Sequence, residues 1–241
     1  MAIPAVLPLC PADRPFDRPR FPFSARRCRI GGKAGPGRWR RGAPSERRSD
    51  FAVIAIVTGA SDCLGRAFVE QLTERAPDEI WCVARDGEKL AALRARWGER
   101  IVPLSLDLAA AESAQALERR LREQRCAVAY LIGSAGVGEE LAPTGRFSPE
   151  QAGPPGARQL HGGGLLLRDL PPLYGFGGHI LDIASQSAFQ LVPYLNLYAS
   201  SKAFVRSYTR ALHAETRGTG LTAAVCPGWV DTGTLAREMG A

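Results

Sequence analysis

No apolar stretch in the chain reaches the roughly 18 to 20 residues that a membrane-spanning helix needs, so no helical span is expected. Six cysteines, at 10, 28, 63, 82, 126 and 226, form no Cys-x-x-Cys pair, and His161, His179 and His213 form no cluster. Zinc sites and dithiol redox motifs need such groupings, so no metal site is expected and each histidine reads as structural. Cys82, Cys126 and Cys226 lie in or beside apolar runs and read as buried free thiols. That usage fits a reducing compartment, the cytosol. No internal repeat is visible, which excludes a solenoid or propeller array.

Acidic residues are scarce in the first fifty positions. Residues 1–50 hold 12 Lys/Arg against four Asp/Glu, a net charge of +8, while the remainder nets −1. The formal +7 of the whole chain is therefore a property of this segment, and no nucleic-acid-binding surface is expected on the rest. With many prolines and glycines and little apolar periodicity, residues 1–50 read as a disordered basic extension. The opening MAIPAVLPLC has no charged region before its apolar part and is broken by prolines, which does not fit a signal peptide. Arginine-richness with few acids is also found in mitochondrial transit segments, but the prolines oppose the amphipathic helix these require. Residues 51–241 suffice for one domain with a substantial core.

Within that domain, FAVIAIV (51–57) is a continuous apolar run rich in β-branched residues, the pattern of a strand buried on both faces of a parallel sheet. It leads into Thr58-Gly59-Ala60-Ser61-Asp62-Cys63-Leu64-Gly65 and then the helical RAFVEQLTERA. A strand, a glycine-containing turn and a helix start together suit a pyrophosphate, held by backbone N–H groups and the helix dipole. EIWCVA (79–84) reads as a second strand and ends at Arg85. An acid at this strand end would suit a free ribose 2′-hydroxyl; Ala84-Arg85 suits a 2′-phosphate, which favours NADP over NAD, unless Arg85 pairs with Asp86 or Glu88. A helix over about 86–97, a third strand IVPLSL ending before Asp107, a helix over 109–125, and a fourth strand AVAYLIG (127–133) ending in Ser134-Ala135-Gly136 follow. GHILDIAS is a fifth strand, 197–217 a long helix, and LTAAVC (221–226) a sixth strand. This alternation predicts an α/β fold: a Rossmann-like, doubly wound parallel sheet of six strands with right-handed crossovers.

Ser185, Tyr198 and Lys202 carry the chemistry. Tyr198 and Lys202 are four residues apart and share a helix face, and Ser185 stands 13 residues before Tyr198, after the fifth strand. A free tyrosine, with a pKa of about 10, is a poor acid or base near neutrality. A neighbouring cation favours the tyrosinate and brings the group toward useful pH.

In this order the motifs resemble the short-chain dehydrogenase/reductase family over about residues 51–235. Gly59, Ser61, Leu64 and Gly65 match its glycine turn, Asp107 and Leu108 its adenine-pocket pair, and Ala135 and Gly136 the end of its Asn-Ala-Gly motif. Pro227, Gly228, Val230 and Thr232 match its Pro-Gly segment at the nicotinamide. The resemblance implies hydride transfer between NADP(H), or NAD(H), and a small-molecule carbonyl or alcohol. Tyr198 would be the general acid/base, Lys202 would lower its pKa and hold the nicotinamide ribose, and Ser185 would hold the substrate oxygen. A homo-oligomer is also implied.

Four positions depart from the family pattern. Cys63 replaces the middle glycine and would be strained if that position needs positive φ. Ser134 replaces an asparagine. Residues 151–164, QAGPPGARQLHGGG, hold seven Gly or Pro where the family has a long helix that carries a catalytic asparagine and packs in the dimer; Arg158, Gln159 and Leu160 stand near that asparagine's place. Finally, the family's seventh strand is expected to be missing after Thr232. A catalytically impaired relative or gene fragment with a nucleotide-binding or interaction role is the alternative.

Overall fold

The computed structural model describes residues 52–75, 77–108, 110–136, 178–190, 192–215, 220–228 and 230. The basic extension, the 151–164 segment, Thr232 and everything after it lie outside these residues. The described elements are β1 (Ala52–Thr58), α1 (Cys63–Thr73), β2 (Glu79–Ala84), α2 (Gly87–Trp97), β3 (Ile101–Ser105), α3 (Ala111–Glu123), β4 (Cys126–Gly133), β5 (His179–Ile183), α4 (Asn196–Glu215) and β6 (Leu221–Val225). A single 3-10 turn, Gln186–Phe189, follows β5.

All six strands are parallel and lie in the order β3-β2-β1-β4-β5-β6, the doubly wound arrangement the sequence predicts. Alternate strand residues point to opposite faces, and each face is covered. Ala55, Val57, Ile80 and Cys82 pack against Val69 and Leu72 of α1 and Leu90 and Leu93 of α2. Ile54, Ile56, Trp81 and Val83 pack with Leu117 and Leu121 of α3 and Leu212 of α4. Two-sided burial explains why β1 and β2 are apolar without alternation. One irregularity interrupts the pattern: Ile54 pairs with Val128 but Ala55 pairs with Tyr130, so Ala129 is an extra residue in β4.

The helix ends are local in origin. Asp86 accepts a hydrogen bond from the Lys89 amide and caps α2, which Gly98 closes at φ +88. α1 begins at Cys63, with Asp62 extended in front of it. Among the described non-glycine residues, positive φ occurs at Arg125 and Tyr194 and not at Cys63. The expected strain at Cys63 is therefore overturned: the turn places its left-handed residue at Gly59, φ +65, and Cys63 is the first residue of an ordinary helix.

Burial pushes the Cys82 thiol up to about 12 and raises that of Cys126, as expected of inert core thiols. Cys226 is only half-buried.

Candidate active site at the carboxyl edge of the sheet

The sequence-predicted positions that the structure describes lie beyond the carboxyl ends of strands, in the first turn of α1, or on α4. This is where ligands bind open α/β sheets, at the point where strand order reverses, here between β1 and β4. At that point the two loops are welded together. The Thr58 hydroxyl donates to the Ile132 carbonyl at 3.4 Å and accepts from the Ala135 amide at 3.1 Å. A Cβ on Gly59 would lie 2.8 Å from Ala135 backbone atoms. A Cβ on Gly65 would collide with the Gly59 carbonyl, so α1 can approach β1 this closely only with glycine there. Ser61 and Leu64 are half-buried in the same turn. The Asp62 side chain does not cap α1 and pairs with Lys89 instead, and the first turn of the helix holds no acid.

Arg85 is exposed at the end of β2. Asp86 pairs with Lys89, and among the described residues Arg85 belongs to no ion pair. Beyond β3, the Ser113 hydroxyl and the Ala110 amide hold the Asp107 carbonyl at 2.7 and 3.0 Å. Asp107 is exposed, whereas the Leu108 side chain is in the core beside Leu117.

The Ser185 hydroxyl accepts from the Ser187 amide at 3.2 Å and starts the 3-10 turn. That turn is tied to the segment after β6: the Gln186 amide donates to the Pro227 carbonyl at 2.9 Å, and a Cβ on Gly228 would lie 3.0 Å from Gln186 Oε1. Val230 is half-buried at the end of this segment. Tyr198 and Lys202 stand one turn apart in α4, with Lys202 Nζ 5.7 Å from the Tyr198 ring centre. Lys202 Nζ donates to the Ile183 carbonyl at 2.9 Å and would lie 3.4 Å from a Cβ on Gly136. The ammonium therefore sits among the ends of β4 and β5 and the first turns of α4.

Lys202 is 6% exposed, and burial pulls it down to about 8. The charges of Asp182 and Cys226 work the other way. Since the folded value lies below the ordinary 10.5, the unfolded chain binds the proton more tightly. Stability gained through this group therefore rises with pH between about 8 and 10.5. Denaturant unfolding across that window is expected to show wild type gaining stability relative to Lys202→Met; parallel curves would contradict the burial of this ammonium.

One cleft, of about 380 Å³, runs along Thr209, His213 and Thr222, away from Ser185 and Tyr198. Another, of about 330 Å³, is lined by Ser187, Phe189, Asn196, Ala199 and Ala203, chain neighbours of Ser185 and Tyr198.

The profile of the short chain dehydrogenase family matches residues 53–239. The chain belongs to this family. Among its short-chain dehydrogenase relatives, an uncharacterized oxidoreductase of Staphylococcus saprophyticus is 30% identical over 189 residues, covering 74% of this chain and 79% of that one. Estradiol 17-beta-dehydrogenase 11 of Rattus norvegicus is 25% identical over 197 residues, 79% of this chain and 66% of its own length. An alcohol dehydrogenase from the archaeon Thermococcus sibiricus, solved with 5-hydroxy-NADP, superposes with a TM-score of 0.67 at 26% identity over 74% of this chain and 77% of that one.

Sequence reasoning missed Asp182 and Thr209, whose side chains meet at 2.8 Å beside Lys202, and Gly133, which faces them. A signal for the first was present: an aspartate inside HILDI, a strand otherwise fit for two-sided burial.

Proposed function

We propose that this short-chain dehydrogenase interconverts a carbonyl and an alcohol with NADP(H), and that Tyr198 is its general acid/base. The observation that carries the reading is the buried Lys202 ammonium one helical turn from Tyr198, held by the Ile183 carbonyl. A cation in a weakly screening interior favours the tyrosinate and lowers the cost of moving the phenolic proton. In reduction the Tyr198 hydroxyl gives its proton to the carbonyl oxygen, and in oxidation the tyrosinate takes it from the alcohol. The Ser185 hydroxyl, at the head of the 3-10 turn, orients that oxygen.

The residues present fit a nicotinamide dinucleotide. Gly59 and Gly65 keep the β1–α1 turn tight, and the first turn of α1 offers amides with no competing acid. Asp107, Leu108, Ala135 and Gly136 would border the adenosine side, and Lys202 the ribose next to the reacting ring. Pro227, Gly228, Val230 and Thr232 would border the nicotinamide, of which Thr232 lies outside the described residues. When bound, the cofactor supplies or accepts the hydride.

Arg85 supports NADP: a guanidinium with no ion pair among the described residues, at the β2 end, suits a 2′-phosphate. The archaeal alcohol dehydrogenase with 5-hydroxy-NADP is consistent with this choice. Arg85→Ala is expected to weaken NADPH binding about tenfold, or about 1.4 kcal/mol, and leave NADH binding nearly unchanged. Fluorescence titrations with both cofactors check this; an equal loss for both would remove the 2′-phosphate assignment.

Of the three motives for an impaired relative, the one at Cys63 loses its backbone-strain ground with the ordinary helix start there. The other two lie outside the described residues. Among the described residues no helix is long and apolar enough to cross a membrane, and no cluster of His, Cys, Asp and Glu could hold a metal.

A further inference from the structure

Asp182 is a carboxylate within an apolar strand, and the reaction proposed above does not use it. It faces α4: Ile180, two residues earlier and so on the same face, packs with Leu212 and Tyr208. Asp182 is 2% exposed. The Thr209 hydroxyl donates to its Oδ2 at 2.8 Å, while its Oδ1 is buried without a hydrogen-bond partner among the described residues. Across on β4, Gly133 leaves room for that oxygen; a Cβ there would collide with Oδ1. Thr209 stands seven residues, two turns, along α4 from Lys202, so the two side chains leave one face of the helix. Lys202 Nζ is bonded to the carbonyl of Ile183, the residue that follows Asp182.

We propose that Asp182 is a positioning residue for proton transfer: pinned by Thr209 and admitted by Gly133, it is the buried counter-charge that keeps Lys202 protonated beside Tyr198. The proposal rests on the Tyr198–Lys202 reading. The couple forms no direct ion pair; each charge acts on the other through weakly screening interior. Among the described residues, the titratable groups facing Lys202 are Tyr198 on its own helix, Asp182 on β5 and Cys226 after β6. The titratable group acting on Asp182 is Lys202; Thr209 bonds it without titrating, with Gly133 on the β4 side and Ala224 as its register partner in β6. Burial raises Asp182 to about 6 and lowers Lys202 to about 8, and the attraction of each for the other opposes both shifts. Between these values both groups are charged.

The composition makes a direct test clean. The chain has three lysines, Lys33, Lys89 and Lys202, so lysine labelled with 13C at Cε gives three NMR signals in the full-length protein, assigned with Lys33→Arg and Lys89→Arg. The Lys202 signal of wild type is expected to titrate near pH 8, with a second, smaller step near pH 6 as Asp182 ionises. In Asp182→Asn, which keeps a group for Thr209 to bond, the small step is expected to vanish and the main midpoint to fall by roughly one pH unit, a tenfold loss of proton affinity. A wild-type Lys202 curve with no step near 6, or an unmoved midpoint in the variant, overturns the proposal. The wild-type criterion holds even if the variant does not fold. Neither cofactor nor substrate is needed, so the two readings fail separately. Two-step titration without turnover on a carbonyl panel overturns the reaction and not the coupling; turnover with single-step titration overturns the coupling and not the reaction.

Discussion

Tyr198→Phe is expected to cut turnover by on the order of 10²- to 10⁴-fold, the usual contribution of a positioned general acid or base, and to leave NADPH binding nearly intact. The substitution removes one oxygen and keeps the ring that lies beside Lys202. The helix should not notice: α4 is anchored there by main-chain bonds and by the Ser201 hydroxyl on the Tyr198 carbonyl at 2.6 Å. The Lys202 bond to the Ile183 carbonyl is likewise independent of the phenol. The loss should therefore appear in kcat and not in affinity, as for a group whose proton moves in the transition state. The check is steady-state kinetics on the best substrate from a carbonyl and alcohol panel, beside a fluorescence titration with NADPH. Wild-type turnover in the variant would remove Tyr198 from the reaction.

Gly65→Ala is expected to destabilise the protein by about 3 kcal/mol, the upper end of the usual cost of overpacking. For a domain of this size that is a fall in Tm of about 6–12 °C. The reason is that the added methyl meets backbone and not a side chain that could swing aside. The Gly59 carbonyl and the Ala60 Cα block it. Gly59 cannot retreat, because a methyl's width behind it stands the Ala135 backbone, held by Thr58. Relief requires α1 to lift from the end of β1, so NADPH affinity should fall with the Tm. Gly87→Ala is the control: its new Cβ would meet Ser105 Oγ at 3.7 Å, ordinary contact, and it opens α2, where alanine is the better helix former. Thermal unfolding of the pair decides; equal melting points would mean that the α1 contact is loose.

The sheet was legible because its strands are buried on both faces, which leaves continuous apolar runs such as FAVIAIV and EIWCVA in the sequence. The start of α1 was less so. The helix was read from Arg66, after a turn taken to run through Gly65, yet α1 begins at Cys63. Tertiary contact with β1 overrides propensity there, and the glycine is what permits the contact. Cys63 misled for a related reason: sequence gives the residue at a turn position but not its φ. Ser185, Tyr198 and Lys202 were singled out because two of them share a helix face and the motifs before and after them stand in the family's order. Asp182 and Thr209 could not, because the bond that pairs them spans 27 residues and joins a strand to a helix. The Gln186–Pro227 link between two loops is invisible for the same reason.

The extra residue in β4 sets the phase of everything downstream. Before it, Val128 faces the α3–α4 side; after it, Leu131 does, an odd offset that a regular strand forbids. By the same parity Gly133 shares that face, and its missing side chain is the space into which Asp182 extends. A chain lacking Ala129 would iron the irregularity out: Tyr130 would follow Val128 and still oppose Ala55, and Leu131 and Gly133 would keep their face. A residue added after Tyr130 has no such absorption; it would carry every later side chain of β4 to the opposite face or drag the strand one step out of register. An isoleucine side chain would then arrive where Gly133 now makes room. This strand can lose a residue at its irregularity without effect, whereas one gained beyond it would be read out at the far end, against Asp182.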